Sequence, residues 1–270
     1  MTQTISFRAS TPVFTAQMAL KGAARLWFVA AVIGQWAFLY YIAAFYGPST
    51  LTGHFEAWRR NTMLTMSYVP GDTVGNLTFA GHVLLAAVIA FGGALQILPQ
   101  IRARAPAVHR WNGRLFMVVA LGLAVSGLYI TWVRERSHIL SGLGISLNAV
   151  LIILCVTLAW RTAVARDLAA HRRWALRAWI AGNGQWFTRV GFMAVAVLDR
   201  AWAGPFFMFW GYASTLVPLA VLEVYLRADA NAGPRARLAV AGGMLVCTVL
   251  TGIGIFGLYM GMWRPLIAGA

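Results

Sequence analysis

Charge is scarce in this chain, and negative charge is scarcest. Charged residues make up 11% of the 270, and only seven are Asp or Glu, against about 25% charged in an average soluble domain. The 60% apolar content exceeds the roughly 45–50% of such a domain, and a soluble fold of this length lacks the interior to hide it. A water-soluble enzyme, a disordered tail and a secreted disulfide scaffold are therefore excluded together. Lysine occurs once, at Lys21, ahead of the first apolar run, so no span holds the amine that a retinal Schiff base requires. Cys155 and Cys247 are too few for a disulfide framework. Both fall in apolar runs, where a thiol packs as a small hydrophobe. CxxCH is absent, which excludes covalent haem attachment, and HExxH, Walker A and GxSxG are absent as well. No chain of carboxylates crosses the apolar segments, as a proton pump needs; Glu223, near the end of one and expected to face headgroups, is their only acid.

Long apolar runs are plentiful instead. Successive charged residues enclose 30 uncharged positions over 26–55, 29 over 73–101, 19 over 115–133, 24 over 137–160, 22 over 201–222 and 26 over 238–263. About 20 suffice for a helix to cross the hydrocarbon core. A seventh stretch, 178–198, is equally apolar but carries Arg189. The pattern predicts an all-α polytopic membrane bundle of seven transmembrane helices, near 26–46, 77–99, 113–133, 139–160, 174–198, 204–226 and 237–262. The first is too long for a signal-peptide core. Strand-type alternation is absent, and no linker separates domains, so residues 1–270 read as one polytopic unit.

The opposite charge is abundant: 22 Lys and Arg give a formal +15. In a soluble protein that balance points to nucleic acid; in this one it sorts by membrane side. Fifteen of the 22 lie at the N-terminus and around the turns after spans two, four and six, and six lie on the other side. The positive-inside rule then puts the N-terminus in the cytoplasm and the C-terminus outside. The expected setting is a bacterial inner membrane, with anionic headgroups and no nucleic acid as partner. The longest loop, about 47–76, falls outside, and its segment Gly53–Met63 reads as a short interfacial helix.

Five histidines, His54, His82, His109, His138 and His171, are separated by 28, 27, 29 and 33 residues, each about one crossing plus a turn. His82 and His138 fall at the outer ends of spans two and four, and His109 and His171 at the inner starts of spans three and five. One pair near each face is the arrangement a dihaem cytochrome b requires, with two neutral imidazoles per iron. The bland alternative is that amphipathic side chains sit at headgroup level, as Trp and Tyr do. The inner pair carries more pattern. His109 opens HRWNGR and His171 opens HRRWALR, each with an arginine, Arg114 or Arg177, three residues after the Trp and so on its helix face. Guanidinium groups beside a ligand histidine suit an acidic partner such as a haem propionate or a lipid phosphate.

From His82 through Gln96 and Arg102, then HRWNGR and HRRWALR and on to Arg189, the sequence resembles a family of polytopic predicted bacterial membrane proteins catalogued as a domain of unknown function. The resemblance covers about residues 80–195 and implies that His82, His109, His171 and Arg189 match signature positions. It brings no activity with it. The chain departs from the pattern at Ala175 and Ala178, and His138 is outside it, which leaves the inner pair as the stronger ligand candidate.

Arg189 lies 12 residues past Arg177, about 18 Å along a helix, too deep to snorkel back. A central arginine costs roughly 2.5–3.5 kcal/mol or more and must face the bundle interior. No acid lies at that depth; Asn183, Gln185 and Thr188 nearby, with Gln35 and Asn148, are candidate partners, as is the anion of a bound cofactor. The leading expectation is an electron-transfer protein, an oxidoreductase of cytochrome b type. His109 and His171 would ligate haem b iron, Arg114 and Arg177 would meet its propionates, His82 and His138 would serve an outer site, and Arg189 a quinone or other anion. The alternatives are a non-catalytic subunit in a larger complex or homo-oligomer, and a small-molecule transporter or ligand-binding protein. In a Cys155→Ala, Cys247→Ala background, Ala165→Cys should react with an impermeant maleimide only from the cytoplasmic face and Glu56→Cys only from outside; the reverse labelling overturns the orientation.

Overall fold

The computed structural model describes residues 15–63 and 66–269; the expected cytoplasmic segment 1–14 and the C-terminal Ala270 lie outside them. Among the described residues there are helices and turns but no strand. Helix α1 (Ala16–Tyr41) runs through a π turn (Ile42–Tyr46) into α2 (Gly47–Thr52), and a 3-10 helix follows at Phe55–Arg60. Next come α3 (Thr73–Ile97), α4 (Pro99–Arg104) and α5 (Pro106–Tyr129), the last ending in a π turn (Ile130–Arg134). Then follow α6 (Ile139–Val164), α7 (Leu168–Gly182), α8 (Gly184–Leu198) and α9 (Ala203–Asn231). The chain closes with α10 (Pro234–Leu258), a third π turn (Tyr259–Trp263) and α11 (Arg264–Ala268). Six helical stretches are long and apolar enough to cross a membrane: Ala16–Thr52, Thr73–Ile97, Pro106–Arg134, Ile139–Val164, Arg200–Asn231 and Pro234–Ala268. This is an all-α, multi-pass membrane protein.

Helix starts follow from local chemistry. Thr15 accepts the Met18 amide, Asp72 the Gly75 amide and Asp167 the Ala170 amide, each satisfying a donor that the first turn cannot. Pro99, Pro106 and Pro234 stand in first turns, where a missing N–H costs nothing. Outward faces are apolar: Val118 is 69% and Phe256 62% exposed, the inversion expected when the solvent is lipid. Inside, α1 packs along α10, α10 along α8, α3 along α5, and α6 along α7. Without a hydrophobic force between helices in lipid, close contact through small residues does this work. Gly254 of α10 lies against the backbone of Val190 in α8, and Gly34 of α1 faces Trp186 and Ile255.

One expectation changes here. The stretch expected as a fifth continuous span, 174–198, is two 15-residue helices meeting at Asn183, each shorter than the roughly 20 residues that cross alone. Gly182 and Gly184 flank the break and lower helix propensity. The Asn183 amide Nδ2 turns back to the Trp179 carbonyl at 2.8 Å, and Asn148 Nδ2 of α6 reaches the Ala181 carbonyl at 2.9 Å. Side chains thus compete for the helix's own acceptors. The segment Gly53–Met63, most of whose residues are exposed, holds a short 3-10 helix, Phe55–Arg60. Its Trp58 is fully buried in the bundle, donating from Nε1 to Ser49 Oγ at 2.7 Å, between the rings of Tyr46 and Phe79. A buried indole N–H needs such a partner.

Gly254→Ala should lower the thermal or SDS unfolding midpoint in micelles, by about 1–3 kcal/mol for a methyl forced into a packed contact. Gly252→Ala, with open space at its Cβ, should leave the midpoint unchanged; equal midpoints for both variants overturn the packing assignment.

Candidate functional site

A cavity of about 500 Å³ lies among α1, α3, α5, α6 and α8, within the roughly 300–1,000 Å³ of small-molecule sites. All three π turns contribute to its wall, through Ile42 and Tyr46, Ile130 and Thr131, and Met262. Such turns widen a helix by one residue and recur at functional sites. The wall is largely apolar, and its polar groups are few. Among them are Arg189, His82, Tyr41, Tyr46, Asn61 and Asn148.

Arg189 is the group with most left over. Nη1 donates to the Gln185 carbonyl of its own helix at 2.8 Å, and the guanidinium stands 5.8 Å from the centre of the Phe38 ring. The ion pairs among the described residues are Arg134–Asp72 and Arg177–Glu223; neither involves Arg189. Of the candidate partners named from sequence, Gln185 meets Arg189 through that backbone carbonyl alone. Asn148 Nδ2 serves the Ala181 carbonyl and Thr215 Oγ1, both at 2.9 Å. The Thr188 and Ser214 hydroxyls lie 2.8 Å apart. Gln35 is fully buried with neither amide atom hydrogen-bonded. One monovalent cation thus faces a cavity with donors to spare.

His82 lies on the same wall. Its Nδ1 is 2.8 Å from Ser126 Oγ, and Ser126 Oγ is 2.6 Å from the Gly122 carbonyl one turn earlier in α5. A second polar station comes from α1 and the outer segment. Asn61 Nδ2 donates to the hydroxyls of Tyr41 at 3.1 Å and Tyr46 at 2.9 Å. Glu135, in the chain segment between the π turn Ile130–Arg134 and α6, also lines the cavity. Burial pushes its carboxyl above the ordinary value, against the opposing charge of Arg134. A smaller recess of about 110 Å³ shares Ile145, Gln185, Thr188 and Phe207 with the cavity and reaches the lipid-facing Leu140 and Met208.

The other sequence candidates stand apart from this cavity. His138 is exposed and caps α6, its Nδ1 accepting the Leu140 amide at 3.4 Å. His109 Nε2 faces Gln96 Nε2 at 3.4 Å, while its Nδ1 is enclosed without a partner. His171 Nδ1 donates to the Ala159 carbonyl at 2.9 Å. The Trp–Arg spacing does place each pair on one helix face: Arg114 sits 4.8 Å over Trp111 and Arg177 sits 4.6 Å over Trp174. Arg177 also donates from Nε to Glu223 at 2.7 Å. Arg134, read from sequence only as the end of a span, is buried. It donates to Asp72 Oδ2 at 3.1 Å and Asn76 Oδ1 at 2.6 Å, tying α5 to the start of α3. Tyr41, Tyr46, Asn61 and Ser126 carry no sequence signal for a site, because a π turn and a packed loop leave no motif.

Residues 79–226 match the family described as Predicted membrane protein (DUF2306). The chain belongs to that family. No curated protein and no solved structure matches it. The family stretch runs from α3 into α9 and includes His82, Ser126 and Arg189. The wall residues Phe38, Tyr41, Tyr46 and Asn61 come from outside it, as do Leu258 and Met262.

Asn148→Ala should destabilise the bundle by about 1–3 kcal/mol, because the Ala181 carbonyl at the helix break loses its buried donor. An unchanged unfolding midpoint in micelles would show that the break does not depend on Asn148.

Proposed function

We propose that this chain is a quinone-binding electron-transfer protein of the bacterial inner membrane. The observation that carries the reading is Arg189: a guanidinium with unused donors that faces an intramembrane cavity and is in neither ion pair among the described residues. A buried cation is retained only where something compensates it, and oxygen-rich, otherwise apolar molecules are the class that meets this wall. The remaining wall is apolar and suits a ring, and the recess past Phe207 offers a lipid-side path for a hydrocarbon tail. The hydroxyls of Tyr41 and Tyr46, positioned by Asn61, supply further polar contacts to a ring substituent.

A second reading rests on His82. Metal-ligating imidazoles characteristically donate their other ring nitrogen to a hydroxyl, carbonyl or carboxylate, and His82 Nδ1 is held in that way by Ser126. The residues present fit haem b to that extent, with one axial nitrogen and one guanidinium for a propionate. A haem so bound supplies one-electron chemistry. The inner histidines support it less, since His109 Nε2 is turned to an amide.

Purified protein in mild detergent should quench its indole fluorescence on titration with a short-tailed benzoquinone, and Arg189→Gln should weaken that binding about 10- to 100-fold, as expected for a lost charged hydrogen bond. Unchanged affinity in the variant removes Arg189 from the site. A reduced-minus-oxidised difference spectrum with a haem band abolished in His82→Ala would favour the second reading instead.

A further inference from the structure

The hydrogen-bond chain through Ser126 determines what the cavity asks of its ligand. A serine hydroxyl has one hydrogen. Ser126 Oγ lies 2.6 Å from the Gly122 carbonyl oxygen, 3.4 Å from that of Leu123 and 2.8 Å from His82 Nδ1. Two oxygens at 2.6 Å with no hydrogen between them repel, and a carbonyl has none to give. The hydroxyl hydrogen therefore points at Gly122, and His82 Nδ1 must carry the hydrogen shared with Ser126. In the neutral ring that leaves Nε2 a bare acceptor. No side chain among the described residues donates to Nε2. The same wall thus presents an unmet acceptor, His82 Nε2, and the unmet donors of Arg189, beside the side chains of Gln185 and Glu135.

An oxidised quinone answers half of this demand. Its carbonyl oxygens accept from Arg189 but offer His82 nothing, and a desolvated acceptor left unmet is costly. A hydroquinone answers both, its hydroxyl donating to Nε2 while its oxygen lone pairs accept from Arg189. We infer that the cavity selects the reduced, hydroxyl-bearing form of its ring ligand over the oxidised form, with His82, oriented by Ser126, as the residue that reads the difference. This rests on the quinone-binding reading above and deepens it. One unmet acceptor corresponds to about tenfold in affinity. Tenfold tighter binding of the reduced form raises the two-electron midpoint of the bound couple by about 30 mV.

The test titrates the full-length protein in detergent, anaerobically, with decyl-benzoquinone and with decyl-hydroquinone, by calorimetry. The wild type should bind the hydroquinone about tenfold more tightly. His82→Leu should bind both forms alike while keeping its helical circular dichroism. Ser126→Ala, which frees the ring to place its hydrogen on either nitrogen, should reduce the preference to a few-fold without touching the ligand. Equal affinities in the wild type, or tighter binding of the oxidised form, overturn the inference and leave the quinone reading standing. Binding of neither form overturns both.

Discussion

Hydrocarbon offers no hydrogen bonds, so each polar group carried into this bundle must find its partner inside it. That constraint organises the structure. Where the helix between residues 168 and 198 breaks, Asn148 from a neighbouring helix and Asn183 from the break itself take up carbonyls at Ala181 and Trp179. Where Arg134 is enclosed, Asp72 and Asn76 meet it. Where Arg177 and Glu223 arrive at one depth, they pair. Even the outer segment obeys, since Trp58 enters the core only with Ser49 ready for its N–H.

Some groups escape that rule, Gln35, Arg134 Nη1 and the indole nitrogens of Trp179, Trp186 and Trp263 among them. Arg189 keeps donors free, and His82 keeps an acceptor free, on the wall of one cavity. The cavity also gathers the three π turns, each at the end of a long span, so the same local widening that shapes its wall interrupts regular helix hydrogen bonding beside it. Polar surplus and backbone irregularity converge on one volume.

The inner histidines illustrate how a motif and a site part company. HRWNGR and HRRWALR do what their spacing implies, stacking Arg114 on Trp111 and Arg177 on Trp174. Such pairs suit a cytoplasmic collar, with cation–π contacts worth about 0.5–1 kcal/mol at exposed positions. The histidines that lead the motifs are drawn into contacts with Gln96 and Ala159, and the cavity wall holds His82 instead. His138, equal to His82 in sequence spacing, became a helix cap because it falls one residue before a helix start.

Composition and run length by themselves determined that this is an all-α multi-pass protein, because crossing hydrocarbon requires about 20 apolar residues in a row and nothing subtler. Six of the spans were legible in that way, and so was the buried cation, since a lone arginine in an apolar run has few places to go. The break at Asn183, the π turns and the descent of Trp58 were decided by tertiary contacts, because each depends on a partner far away in the chain: Asn148, the packed ends of three helices, Ser49. The placing of Arg189 and His82 on one wall belongs to the same class. Their 107-residue separation carries no period, and only the folding of α3, α5 and α8 round one cavity makes a donor and an acceptor of them.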